Sequence, residues 1–315
     1  MHIDLKDQKI LALLDQNARI SITKLARDTR LNKDVVRYRI NNLEKKGIIQ
    51  GYYTLINTGM MGLTAYRIYF DLINLTQEAE KKLINFLDKD FKAGQIFTID
   101  GDYQLGIITW EKSVYDLQAK IQSLKRLFGD NINKLELSIV TKLNHYFRKS
   151  LPLSTKQVIT LKQERASKID ELDVKILKQL SKNSRINYTE LSGKLNIPQR
   201  TLAYRVRNLE KNKVILAYRA EVNISKLGYE NFFIEIYTRS KQNLGLIENF
   251  AHIDKNCVYS DYVLPGADIE LETEFKNKQE LLAFIKMLKE KFLFIKKIRY
   301  WSTLEYLKMS YLPEC

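Results

Sequence analysis

Eleven side chains in two short stretches carry the most legible chemistry of this chain. Lys33, Asp34, Arg37, Tyr38, Arg39 and Asn41 fall within Asn32 to Ile49, NKDVVRYRINNLEKKGII, and Gln199, Arg200, Tyr204, Arg205 and Arg207 fall within Pro198 to Ile215, PQRTLAYRVRNLEKNKVI. This set does not suit bond-making and does suit holding a polyanion. Arg and Lys match phosphates and guanine edges, while Asn and Gln match adenine. Between them, Val36, Ile40 and Leu43, like Leu202, Val206 and Leu209, recur at helical spacing. Each stretch therefore reads as an amphipathic helix with one face for a core and one for the polyanion.

If such a helix lies in a DNA major groove, its early outward residues reach base edges: Lys33, Asp34, Arg37 and Asn41 in the first copy, Gln199, Arg200, Ala203 and Arg207 in the second. Arg39 and Arg205, flanked by Tyr38 and Tyr204, sit nearer the helix side and are expected to hold phosphate. The copies disagree at nearly every base-reading position, so the expectation is two unlike half-sites or one weak head.

The elements that position these helices are duplicated with them. Residues 3–62 align with 169–228 without a gap, at a constant displacement of 166 residues and about one-third identity. Each copy opens with a helix capped by Asp4 or Asp170, with Asp7 or Asp173 in its first turn. A second helix starts at Ser21 or Asn187, where Asn187 and Glu190 make a capping-box-like pair. After a short turn comes the polar-faced helix, which completes the helix-turn-helix order. Gly47 fits the left-handed position that ends the first polar-faced helix; the second has Lys213 there, with Asn212 the expected substitute cap. Strand-like links, GIIQGYYTLIN and KVILAYRAEVN, follow.

The net charge of +15 is localised. Lys and Arg exceed Asp and Glu by five in each of 1–50, 148–168 and 169–215, and balance them in 51–147 and 216–315. A basic surplus confined to the repeated heads and the link before the second is an electrostatic footprint for a phosphate backbone.

The neutral segments alternate strands and helices. Strands are expected over 65–73, 95–99, 103–110 and 132–146 with helices over 77–90 and 114–128, then strands over 231–238, 257–264, 267–275 and 294–307 with helices over 243–252 and 278–292. Strand, helix, strand, strand, helix, strand is the ferredoxin-like order. The fold class is thus α+β: two winged-type helix-turn-helix domains alternating with two ferredoxin-like (βαββαβ) α/β domains. The expected domains are 1–50, 51–147, a basic linker 148–168, 169–215 and 216–315. The uncovered sheet faces could bury each other, and most of the eighteen tyrosines and thirteen phenylalanines sit where core packing uses them.

Enzyme chemistry finds little support. His2, His145 and His252 are scattered, and no GxSxG, P-loop, HExxH or zinc-ligand spacing occurs. No cofactor or metal is expected. Cys257 and Cys315 read as reduced bystanders, and no apolar run approaches the roughly 18 residues of a membrane span. The expected setting is cytoplasmic and nucleoid-associated.

Together, the opening D-x-x-D-x-K-I-L (Asp4 to Leu11, Asp170 to Leu177), the R-[IV]-x-N-L-E-K of the polar-faced helix, the GII-x-G-Y link and the IDGDYQL stretch (Ile99 to Leu105) make each half resemble an Lrp/AsnC-type (leucine-responsive, or feast/famine) transcription regulator. The resemblance implies a sequence-specific binder of double-stranded DNA whose α/β domains sense a small effector such as an amino acid and self-associate. One chain would supply both partners of the usual pair, as a covalent pseudo-dimer. It also implies an effector site at the family's G-D-Y-D turn, here Asp100, Gly101, Asp102 and Tyr103, with Gly266 and Asp268 in the altered PGADIE counterpart. Two alternatives stand beside this: a non-specific nucleoid-associated protein using the same basic heads, and an enzyme of the same architecture resembling tetrapyrrole (sirohaem) decarboxylases.

Overall fold

The computed structural model describes residues 3–162 and 167–312. His2, Cys315 and the linker positions 163–166 lie outside the described residues. The first head is α1 (Leu5–Gln16), α2 (Ile22–Thr29) and α3 (Lys33–Lys45), followed by β1 (Ile49–Ile56). The first α/β unit runs β2 (Thr64–Leu72), α4 (Gln77–Lys89), β3 (Gln95–Asp100), β4 (Leu105–Glu111), α5 (Val114–Phe128) and β5 (Ile132–Tyr146). After β6 (Val158–Lys162) the order repeats as α6 (Glu171–Lys182), α7 (Tyr188–Leu195), α8 (Gln199–Lys211), β7 (Ile215–Val222), β8 (Glu230–Thr238), α9 (Leu244–Ile253), β9 (Cys257–Leu264), β10 (Ile269–Phe275), α10 (Lys278–Lys291) and β11 (Ile295–Met309).

Within each half the strands take the order β5-β2-β4-β3 or β11-β8-β10-β9. The halves do more than stack. The second part of β5 leaves β2 and pairs with β9, from Ile139↔Leu264 to His145↔Tyr259. The second part of β11 leaves β8 and pairs with β3, from Ser302↔Asp100 to Met309↔Gln95. Eight antiparallel strands thereby close into a ring, which removes the free edges that two separate sheets would present. Alternation along each strand sorts the side chains. Tyr66, Ile68 and Phe70 turn outward under α4 and α5, whereas Tyr69 turns inward to meet Phe97, Tyr103, Phe233 and Trp301. The outer face of the second half packs under α9 and α10 in the same way, through Ile234, Ile236 and Leu271.

The heads are tied together as well. Strands β1 and β7 pair antiparallel into a ribbon shared by both. Ala220 and Val222 of β7 enter the core of the first head, and Ile56 of β1 enters that of the second. Three local expectations change. The linker contains β6, paired to β5 through Lys142↔Lys162 to Tyr146↔Val158, so part of the expected tether is sheet. The reciprocal capping box forms at Asp170 and Asp173; Asn187 accepts from the Glu190 amide, while the Glu190 side chain pairs with Lys194 instead. Lys213, not Asn212, takes the left-handed conformation at φ +59°, a strain of roughly 1–2 kcal/mol for a residue with a Cβ.

Candidate nucleic-acid interface

Helices α3 and α8 bury the residues expected to be inside: Val36, Ile40 and Leu43, and Leu202, Val206 and Leu209. Burying these side chains leaves the polar face outward by helical geometry. Lys33, Asp34, Arg37, Tyr38 and Asn41 are exposed, as are Gln199, Arg200, Tyr204 and Arg207. Asn32 caps α3 by accepting from the Val35 amide at 2.8 Å, whereas α8 starts at Pro198 with no side-chain cap. Two amphipathic helices thus present long polar side chains and two exposed tyrosines from otherwise rigid three-helix heads.

The exposed residues are not equally free. Arg37 donates to Asp34 at 2.8 Å, an exposed pair worth only about 0.2–1 kcal/mol and easily exchanged for phosphate or a base. The second head has Arg200 and Ala203 at these positions and no such pair. Arg207 donates to the Ala203 carbonyl at 3.3 Å, and Gln199 to the Thr189 hydroxyl at 3.4 Å.

Arg39 and Arg205, expected to hold phosphate, are also engaged within the heads. Arg39 donates to Asp4 at 2.8 Å and Asp7 at 2.7 Å, and Arg205 pairs with Asp170 and, at 3.2 Å, with Asp173. The Asp7 amide and then Arg39 hold the Asp4 carboxyl below its ordinary range, and the Asp173 amide with Arg205 does the same for Asp170. Each arginine therefore ties the polar-faced helix to the capped start of the first helix.

Sequence reasoning missed the residues that hold the heads to each other. Arg19 donates to the carbonyls of Ser184 at 2.7 Å and Ile186 at 3.3 Å, and lies over the rings of Tyr188 and Tyr218. Its counterpart Arg185 lies 5.0 Å over Tyr52. The available signal was their identity in both copies at a position outside every helix.

The turns expected to hold an effector are engaged internally. Asp102 is exposed and pairs with Arg299 at 3.2 Å. Tyr103 is buried, its hydroxyl shared by Glu136 and Arg299. Asp100 and Gly101 are exposed, and a Cβ on Gly101 would stand 2.7 Å from the Trp301 Cβ. Asp268 accepts from the Thr238 amide and hydroxyl at 2.7 and 2.9 Å, beside Gly266 at φ +130°.

Comparison with known proteins agrees with this geometry. A winged helix-turn-helix DNA-binding family model matches residues 3–50 and 169–215. An uncharacterized HTH-type transcriptional regulator of Pyrococcus abyssi is 33% identical over 120 residues, which are 38% of this chain and 80% of the relative. The HTH-type transcriptional regulator LrpA of Pyrococcus horikoshii is 29% identical over 143 residues, 44% of this chain and 96% of LrpA. The chain belongs to the Lrp/AsnC family of transcriptional regulators. Each of these relatives spans less than half of it, as a tandem duplication of the Lrp/AsnC module requires. Among solved structures, the siroheme decarboxylase NirDL superposes with a TM-score of 0.65, covering 96% of this chain and 92% of its own at 10% identity. At that identity the likeness describes the fold, showing that a whole chain can carry the doubled Lrp/AsnC architecture.

Proposed function

We propose that this chain is a sequence-specific DNA-binding transcriptional regulator acting as a covalent pseudo-dimer. The observation that carries this is the pair of exposed polar helix faces, α3 and α8, on heads locked by one β1–β7 ribbon. The basic surplus of the heads supplies affinity for the backbone, and the unlike residues Lys33, Arg37 and Asn41 against Gln199, Arg200 and Arg207 supply selectivity. The assigned contacts are these residues with Tyr38 and Tyr204; Arg39 and Arg205 position the helices that bear them. The protein works in the cytoplasm on double-stranded DNA. On family kinship, a small metabolite such as an amino acid acts through the turns at Asp100–Tyr103 and Gly266–Asp268, and self-association runs through the α/β units.

The same reading makes the chain a non-enzyme. In support, burial and then the neighbouring Arg219 keep the His145 ring neutral, and His252 engages the Lys156 carbonyl through its Nε2 at 2.5 Å.

A salt titration of fluorescence anisotropy, on a duplex from the protein's own upstream region and on a scrambled duplex, tests the proposal. The expected result is about a hundredfold or more tighter binding to one duplex, with a steep salt slope. Equal binding to both, and to every duplex recovered by selection from random DNA, would favour the non-specific nucleoid reading. No binding at low salt would remove the DNA function altogether.

A further inference from the structure

Between the β1–β7 ribbon and the inner face of the strand ring lies a cavity of about 720 Å³, within the range of small-molecule sites. It is apart from the polar helix faces and from the turns at Asp102 and Asp268.

The charges lining it are unbalanced. Three of the four lysines and arginines that line it, the fourth being Lys162, are neutralised by internal acids: Arg67 by Asp261 at 2.6 Å and by Glu270, Arg148 by Asp15 and Glu274 at 3.0 Å each, and Lys142 by Glu248 at 2.6 Å. Glu221, on the ribbon, and Glu272, on β10, also line it; Glu272 accepts from the Asn231 side-chain amide at 2.7 Å, and no salt bridge to either acid is formed among the described residues. Burial pushes both carboxyls upward, Glu272 to about 7, as expected of acids lacking a counter-charge.

A second observation is independent of charge. Asp261 is 3% exposed and its Oδ1 has no hydrogen-bond partner; Asn231 Oδ1 and Thr303 Oγ1 are likewise buried and unpartnered, and all three residues line the cavity. Two of these atoms are obligate acceptors and the third can accept, against one orphaned donor, Arg67 Nε. The site therefore lacks a donor-rich, positively charged group. Its walls add aromatic surface, including the Tyr53–Tyr311 stack with centroids 3.7 Å apart, which suits a cation attached to an apolar body.

The duplication makes this possible. By strand register, Asp261, Glu272 and Glu274 correspond to Phe97, Ile108 and Trp110 of the first half. A symmetric pair would repeat its acids on both sides, whereas this chain has one acidic wall. We propose that the cavity binds a small organic cation, a primary amine on an apolar or aromatic body, held between Glu221 and Glu272. The claim concerns binding alone and stands independently of the DNA reading.

Isothermal titration calorimetry of the full chain with tyramine, agmatine, putrescine and spermidine tests it, with 4-hydroxyphenylacetate as the anionic counterpart of tyramine. The overall charge of +15 opposes adsorption of amines elsewhere on the surface. At least one amine should saturate with a Kd below about 1 mM, weaken at least tenfold in Glu221→Gln and in Glu272→Gln, and outbind the anion. Both replacements preserve shape and remove only charge, and any variant that still melts cooperatively, at or above the parent's midpoint, decides the matter. Failure of all four amines, unchanged affinity in a folded variant, or equal binding of the anion overturns the proposal.

Discussion

Arg219 of the second head's strand donates to the carboxylate of Asp15, in the first helix of the first head, at 2.6 Å, with both side chains almost fully buried. Arg148 completes the group at 3.0 Å from the same oxygen, so one acid holds two guanidiniums that reach it from the other head and from the linker. The positions 166 residues away are Tyr53 for Arg219 and Ser181 for Asp15, so the ionic joint exists on one side only.

Removing one partner of such a group strands a buried charge, which costs about 3–5 kcal/mol. Asp15→Asn should lower the urea midpoint accordingly, without changing the polar helix faces. Opposite-charge attraction from Arg219 and Arg148 holds the Asp15 carboxyl below its usual range despite burial. Its contribution is present above the unfolded value near 3.8 and lost as pH falls through the lower folded value. The variant should lack that acid limb in pH-dependent melting.

Glu272 should act with the opposite sign. Its folded value is raised from 4.5 to about 7, mainly by burial, so its favourable contribution is complete below pH 4.5 and lost as pH rises to about 7. Glu272→Gln should stabilise the protein by about 1–3 kcal/mol at pH 8 and flatten stability between those limits, measured by urea unfolding across pH.

Arg37→Ala or Arg200→Ala should each cost about 1–3 kcal/mol on the preferred duplex and little on a scrambled one. Equal losses on both duplexes in anisotropy would show that neither residue reads a base.

Arg39→Ala and Arg205→Ala should destabilise the heads by of order 1 kcal/mol, because each detaches the polar-faced helix from the first helix. The slope of log affinity against log salt should stay unchanged. A slope lower by about one would restore a direct phosphate contact.

Arg19→Ala should loosen the pairing of the heads, since it removes two hydrogen bonds to carbonyls of the second head. Selection from random duplexes should then tolerate a wider range of half-site separations than the parent does. An unchanged separation would assign the pairing to the ribbon alone.

Helical periodicity made α3 and α8 legible, and alternation placed β5 over the very residues, 132–146, that it occupies. What alternation does not encode is a strand's partner. The exchange of β5 from β2 to β9 depends on where the other half's edge lies, and that is a property of the closed ring. Strand β6 escaped because VITLK is short and sits in a basic stretch whose polarity masks its pattern. The helix position of Arg39 was legible, while Asp4, 35 residues earlier, could be placed beside it only by the fold. The interior acids Asp261 and Glu270 read in sequence as ordinary strand polarity, and the ring alone turns them inward to Arg67.

Because one chain supplies both strands of the ribbon and both sides of the ring, no encounter between separate subunits precedes formation of a paired head. For a regulator assembled from two chains, the active species dwindles with the square of concentration when the protein is scarce. Here it falls only in proportion, so a few copies per cell retain their full complement of paired heads, and occupancy of a target tracks expression linearly from the lowest dose.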